Sequence, residues 1–176
     1  AYGVGGKAEY AGWGDKATPG NRGERYLACV AHLDGIKNNA SAVMCRGYYT
    51  RSYLWAVDFD GKKLTTKWLH ASLSPEEWCL YDDNGMTLKS ANGLKATAYG
   101  QGAHGLAVAD VDGDGCDEIT YGSAAIDNDG SLLYSTGLGH GDAFHLSDLD
   151  PDRPGLEFYM VHEASPYGAD LRDART

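Results

Sequence analysis

Apolar positions along this chain fall into short runs, each closed by a polar or glycine-rich turn. Tyr26 to Leu33 is the first, ended by Asp34-Gly35. Ala42 to Arg46 and Tyr53 to Phe59 follow. Asp60-Gly61 then makes a hairpin turn, and Leu64 to Leu69 returns from it. Runs of this length and punctuation predict β-strands. Four in succession have the content of one propeller blade.

Residues 71–103 break the rhythm. Ser74-Pro75-Glu76-Glu77 predicts a helix start, with serine at the cap and proline in the first turn. The remainder, through Asn84-Gly85 and Asn92-Gly93, reads as a surface loop or a short hairpin. Regularity returns with predicted strands at Leu106 to Ala109, Glu118 to Tyr121, Ala124 to Ile126 and Leu132 to Ser135. The turn Asp127-Asn128-Asp129-Gly130 precedes the last of these. Asp142 to Ser147 and Leu156 to Val161 begin a further unit. The period is 38 to 39 residues, and several strands per period indicate a β-propeller. About three units are present, the first a degenerate copy around Leu33-Asp34-Gly35. Propellers close with about 4 to 8 blades, so an all-β, partial propeller is expected. Residues 1–24, Gly-rich and polar, are expected to be irregular.

Composition agrees with this. Gly (24 residues) and Tyr (12) are abundant and Phe is scarce (3) in a chain of 176 residues. No apolar run approaches the ~18 residues a membrane helix needs. The net charge of −10 argues against nucleic acid, whose binders carry basic patches. Without an initiator Met or a visible signal peptide, the chain reads as a processed product or an excised fragment. The cysteines, at 29, 45, 79 and 116, form no CxxC pair, so a thiolate zinc site is disfavoured. Cys29 and Cys45 could bridge neighbouring strands or stay as free buried thiols.

The acidic charge concentrates in two loops, Asp110-Val111-Asp112-Gly113-Asp114-Gly115-Cys116-Asp117-Glu118 and Asp148-Leu149-Asp150-Pro151-Asp152-Arg153-Pro154-Gly155-Leu156-Glu157. Alternate aspartates in a tight turn aim their carboxylates at one centre, and Ca²⁺ takes six to eight oxygens. Asp110, Asp112, Asp114 and either Glu118 or Asp117 are the candidate ligands in the first loop. Asp148, Asp150, Asp152 and Glu157 are those in the second. The plain alternative is a solvated acidic hairpin. Even with an ion, such loops mostly tie strand to strand. An EF-hand is disfavoured by the strand-like flanks and the missing glutamate at loop position 12.

Histidines accompany these loops. With the 38-residue offset, His104 falls on Asp142 and Gly102 on His140. His162-Glu163 ends the strand after the second loop. His104, His140, Asp142 and Glu163 would form a mixed nitrogen–oxygen site for Ca²⁺, Mn²⁺ or Zn²⁺. Surrounding glycines, including Gly102, Gly105, Gly137, Gly139 and Gly141, allow close backbone approach. The alternative is separate, hydrogen-bonded histidines. His32, His70, His145 and His162 read as structural.

At these residues the chain resembles the rhamnogalacturonan lyases of polysaccharide lyase family 11. The matching strings are Trp13-Gly14-Asp15 with Asn21-Arg22, Arg46-Gly47-Tyr48-Tyr49-Thr50-Arg51, and Gly102-Ala103-His104 leading into Ala109-Asp110-Val111-Asp112-Gly113-Asp114-Gly115. The strongest runs from Tyr134 to Asp150, and Arg153-Pro154-Gly155-Leu156-Glu157 and His162-Glu163 follow it. Residues 71–98 look like an insertion. The resemblance implies an eight-bladed propeller with structural Ca²⁺, secretion (extracellular or periplasmic), and β-elimination in the rhamnose–galacturonate backbone of pectin. It places the active-site metal ligands at His104, His140, Asp142 and Glu163. Arg46 and Arg51 are candidate uronate ligands through a bidentate fork. Tyr48 and Tyr49 are candidates to stack on sugar, against the alternative of an ordinary strand and turn. The partners implied are the pectic polysaccharide and the remainder of a parent propeller, with no nucleic acid and no membrane. Two other functions stay open: a Ca²⁺-stabilised binding module like integrin-type repeats, and a metal hydrolase.

Overall fold

The computed structural model describes Trp13, residues 22–92 and residues 97–176. Gly14-Asp15, Asn21, Gly93 and most of the amino-terminal segment lie outside the described residues. The described chain is all β. Its strands are β1 (Tyr26–Ala31), β2 (Ser41–Arg46), β3 (Ser52–Phe59), β4 (Leu64–Ser74), β5 (Glu77–Tyr81), β6 (Thr87–Asn92), β7 (Gly102–Ala109), β8 (Glu118–Gly122), β9 (Ala124–Ile126), β10 (Leu132–Ser135), β11 (Gly141–Ser147), β12 (Glu157–His162) and β13 (Ala169–Asp173).

Two sheets hold them, ordered β1-β2-β3-β4-β5-β6 and β10-β9-β8-β7-β11-β12-β13. The second sheet is two antiparallel meanders joined back to back. The join is the parallel pairing of β7 with β11, at Gly141 opposite Ala103. Since β1 also packs beside β7, the first strands of three meanders lie together, and the later strands lead away from them. This is the three-unit organisation that the period indicates.

The segment at residues 71–103 departs from expectation. Ser74 starts no helix: it ends β4, and Glu77 begins β5. The Ser74 hydroxyl does accept the Glu76 N–H, at 3.2 Å. That contact can open a helix or close a tight turn. Here Trp78, Cys79 and Leu80 decide, because all three are buried and pair along β4, as Leu80 does with His70. β5 and β6 thus extend the first sheet as a hairpin.

One core cluster joins the first sheet to the second meander through Leu33, Val43, Leu54, Trp68, Ile119, Tyr121 and Ile126. A smaller one, with Ala103, Val111, Phe158 and Met160, holds the third meander. Polar ties cross the first junction. Trp68 Nε1 donates to the Asn128 carbonyl (2.9 Å) and Asn128 Nδ2 to that of Leu33 (3.1 Å). Tyr121 donates to the Gly47 carbonyl at 2.7 Å. The cysteines are free thiols. Cys29 sits opposite Val43, diagonal to Cys45 rather than facing it.

His70 is fully buried in this junction. Its Nδ1 meets the Gly130 carbonyl at 2.8 Å and its Nε2 the Ser72 hydroxyl at 3.0 Å, with Trp78 stacked on the ring. Burial disfavours the imidazolium and lowers the pKa to about 4 from 6.5, opposed by the Gly130 bond. The unfolded chain therefore takes up this proton near pH 6.5, whereas the folded chain resists it until about 4. Stability should be full above that window and fall as the pH drops through it, by about 3 kcal/mol from this residue. Urea denaturation from pH 7 to pH 4, compared with a His70→Asn variant, measures it; equal slopes in both would disprove it.

Candidate functional site

The β7–β11 register realises the offset that aligns His104 with Asp142 in the repeat: with Gly141 opposite Ala103, the next residues, His104 and Asp142, are neighbours across a parallel pair. His104 Nε2 lies 3.3 Å from Asp142 Oδ1. His140, just before β11, turns its Nδ1 to the Gly102 carbonyl at 2.5 Å. The rings of His104 and His140 are 5.0 Å apart. One ligand atom from each of His104, His140 and Asp142 lies within 4.8 Å of the other two. Glu163 follows β12, and its N–H reaches the His140 carbonyl at 3.2 Å. Its exposed carboxylate is outside that tight set but bears electrostatically on His140.

Close backbone packing makes this convergence possible. A Cβ on Gly141 would lie 2.1 Å from the Val161 oxygen, and one on Gly102 would lie 2.3 Å from the Tyr48 Cβ. No side chain fits at either place, so two of the flagged glycines are sterically required. Gly137 and Gly139 differ: they take positive φ, 76° and 83°, in the loop leading to His140.

The site suits a cation. His140 Nε2 is buried and has no hydrogen-bond partner. Burial is the main cause lowering the His140 pKa, and nearby His104 adds to it, so the ring is neutral and able to ligate at neutral pH. Two imidazoles and one carboxylate make a mixed nitrogen–oxygen donor set of the kind that accepts a divalent ion such as Ca²⁺, Mn²⁺ or Zn²⁺.

Tyr48 stands differently from its expected role. It is 4% exposed, stacked on His140 with ring centroids 5.7 Å apart, and packed against Tyr49 and His104. A buried ring of this kind offers no face to a sugar. Its hydroxyl lies 3.3 Å from His104 Nδ1, and that of Tyr49 lies 3.4 Å from His104 Nε2. Tyr49 is half-buried, with the Arg22 guanidinium 4.3 Å over its ring. Arg46 donates to the Gly23 carbonyl (2.9 Å), pairs with Glu24 (3.6 Å) and packs over Trp13 (4.6 Å). It also lines a cleft of about 670 Å³ with Tyr26, Tyr53 and Trp55, on the sheet face opposite the core. Arg51 lies in the loop between β2 and β3, half-buried. The hydroxyls of Tyr48 and Tyr49 at the histidines were not anticipated; their only sequence signal was the string from Arg46 to Arg51.

The first acidic loop is built like a cation loop. Asp110 accepts the N–H groups of Gly113 (2.7 Å) and Gly115 (3.0 Å), and Asp114 that of Cys116 (2.7 Å). Ligand atoms of Asp110, Asp112 and Glu118 lie within 4.8 Å of one another. Of the two acids left open, Glu118 is the one grouped with Asp110 and Asp112. It is buried, one oxygen accepts the Val111 N–H (2.7 Å), and the other has no partner. Desolvation, with nearby Asp112 and Asp114 adding to it, pushes its pKa up to about 7. Such an orphaned carboxylate oxygen fits a bound cation. Asp117 instead accepts the His32 N–H at 2.6 Å.

The second loop copies part of this. Buried Glu157 accepts the N–H groups of Leu149 and Asp150, both at 2.9 Å. Among the described residues, its Asp148, Asp150, Asp152 and Glu157 form no group as tight as that of the first loop. In the degenerate first unit, the Lys67 ammonium takes up the acidic charge, 2.5 Å from Asp34 and 3.6 Å from Asp58.

The other histidines divide. His162 is buried, with Nε2 2.5 Å from Asp170 Oδ1, a structural place as expected. His145, expected to be structural, is exposed on β11, because its position alternates away from buried Phe158 and Met160.

Comparison with known proteins adds the family. A model described as rhamnogalacturonan lyase family 11, C-terminal domain, matches residues 3–176. The rhamnogalacturonan exolyase YesX of Bacillus subtilis (strain 168) is 52% identical over 166 residues, covering 93% of this chain and 24% of that protein. The endolyase YesW of the same organism is 47% identical, covering 93% and 23%. Among solved structures, a Bacillus licheniformis rhamnogalacturonan lyase superposes with a TM-score of 0.76 at 52% identity, covering 94% of this chain and 25% of that one. The chain thus spans about a quarter of the length of these relatives.

Proposed function

This chain belongs to rhamnogalacturonan lyase family 11, in its C-terminal domain, and on that footing we propose that it forms part of a secreted or periplasmic polysaccharide lyase. The enzyme cleaves the rhamnose–galacturonate backbone of pectic rhamnogalacturonan I by β-elimination. The observation that carries this reading is the convergence of His104, His140 and Asp142, one ligand atom from each within 4.8 Å of the others, in a chain 52% identical to a rhamnogalacturonan exolyase.

The chemistry asks for such a group. Elimination removes the C5 proton of a galacturonate whose carboxylate is charged, and that charge makes the proton weakly acidic. A divalent cation at this site, Ca²⁺ first, would draw charge from the carboxylate and stabilise the enolate-like transition state. His104, His140 and Asp142 are the proposed ligands, with Glu163 beside His140 as the fourth. Glycine-packed strand ends hold these ligands in place before substrate arrives. Arg51 is the proposed uronate contact, because the guanidinium of Arg46 already engages Gly23, Glu24 and Trp13. The loops at Asp110, Asp112, Asp114 and Glu118 and at Asp148, Asp150, Asp152 and Glu157 are proposed structural Ca²⁺ sites.

We also infer that the three meanders are blades of a larger propeller, eight-bladed as the resemblance implies, with residues 71–98 as an insertion in the first. Two apolar faces at opposite ends support this. One shows Tyr26, Val30 and Trp55, the other Tyr159, Val161 and Leu171, all at least 37% exposed. Further meanders would cover them.

The test is ultraviolet absorbance on rhamnogalacturonan I with Ca²⁺ or with chelator, for the chain alone and joined to the rest of its parent. A Ca²⁺-dependent rise from the 4,5-unsaturated uronide is expected of the joined form. New reducing ends without that chromophore would assign a hydrolase, and neither product would assign a binding scaffold.

A further inference from the structure

We propose that Tyr48 is a positioning residue for the cation site: its hydroxyl accepts the Nδ1–H of His104 and leaves Nε2 of that ring free to bind a divalent ion. This rests on the cation-site reading above.

The two histidines are held alike. His140 has its Nδ1 tied to the Gly102 carbonyl, 2.5 Å away, and its Nε2 without a partner. A carbonyl only accepts, so the His140 proton is on Nδ1. His104 has Nδ1 3.3 Å from the Tyr48 hydroxyl, while its Nε2 faces Asp142 Oδ1 at 3.3 Å. A neutral imidazole has one N–H. For Nε2 to ligate beside Asp142, that proton must sit on Nδ1, where Tyr48 receives it. A partner that fixes the tautomer of a ligating histidine commonly changes metal affinity 10- to 100-fold.

Tyr48 is built to be rigid. Burial covers its ring, its Cβ occupies the space over Gly102, and Arg25 reaches its hydroxyl. These contacts fix the position of the phenol oxygen beside His104. Tyr49 is unlike it: half-buried, its hydroxyl lies on the Nε2 side at 3.4 Å, where a cation would displace it.

Tyr48→Phe separates this role from simple packing, because it keeps the ring and removes only the oxygen. Mn²⁺ is titrated into ¹⁵N-labelled chain while ring signals of assigned histidines are followed. In the unsubstituted chain, Mn²⁺ should broaden His104 and His140 together, with the His104 proton on Nδ1. In Tyr48→Phe, the concentration needed should rise at least about 10-fold, and His104 should show a mixture of tautomers. Thermal unfolding should be unchanged, which confirms folding. Unchanged tautomer and affinity in Tyr48→Phe would overturn the proposal and leave the cation site standing. Mn²⁺ that broadens neither ring in the unsubstituted chain would overturn both.

Discussion

Replacing His140 by alanine should lower lyase turnover by about 10³-fold, equivalent to ~4 kcal/mol of transition-state stabilisation. The loss is large because His140 is the most committed member of the group. Its Nδ1 is occupied by Gly102 and its Nε2 has only the site to face. His104 and Asp142 are both more exposed, so they can be partly replaced by water. The readout is the rate of unsaturated uronide formation by the chain joined to the rest of its parent. KM for the polymer should change much less than kcat, since the proposed cation acts on charge that develops in the transition state. A variant that keeps more than about a tenth of the rate would show that charge at the uronate is managed without this histidine.

Phe158→Ala should cost about 3–5 kcal/mol of folding stability. Phe158 is fully buried on β12, stacked on Phe144 with ring centroids 5.1 Å apart. The Arg172 guanidinium lies over its ring, 4.3 Å from the centroid. Arg172 also donates to Asp170 and to the Gly122 carbonyl, both at 2.6 Å. Removing the ring leaves a cavity and loosens the arginine that ties the third meander to β8. Chemical denaturation measures the change. A loss below ~1 kcal/mol would mean that the third meander melts apart from the rest, so the three units would not fold as one cooperative body.

The fold was legible where local rules decide. Ten of the thirteen strands were placed from short apolar runs and turns, because each run had to bury one face and each turn carried glycine or aspartate. Ser74 shows where such rules fail. A serine followed by proline caps a helix or closes a hairpin equally well, and only the partners of Trp78 and Leu80 across β4 settle it. β13 was missed, and β6 was read only as part of a surface loop or short hairpin, for a related reason: Thr87–Asn92 and Ala169–Asp173 are polar edges, made into strands by neighbours rather than by their own pattern.

The sequence by itself determined the repeat, the acidic loops and the pairing of His104 with Asp142. A fixed period carried along equivalent strands forces equivalent positions into register, and Gly141 opposite Ala103 is that register realised. Tertiary structure alone decided three things. It brought Glu118, rather than Asp117, to Asp110 and Asp112, because burial and the Val111 N–H depend on how the loop curls. It placed Lys67 between Asp34 and Asp58 in the unit without an acidic loop. It turned Tyr48 from a surface platform into a buried partner of His104. Each depends on which chain segments meet across distant positions, and residue spacing along one strand cannot encode that.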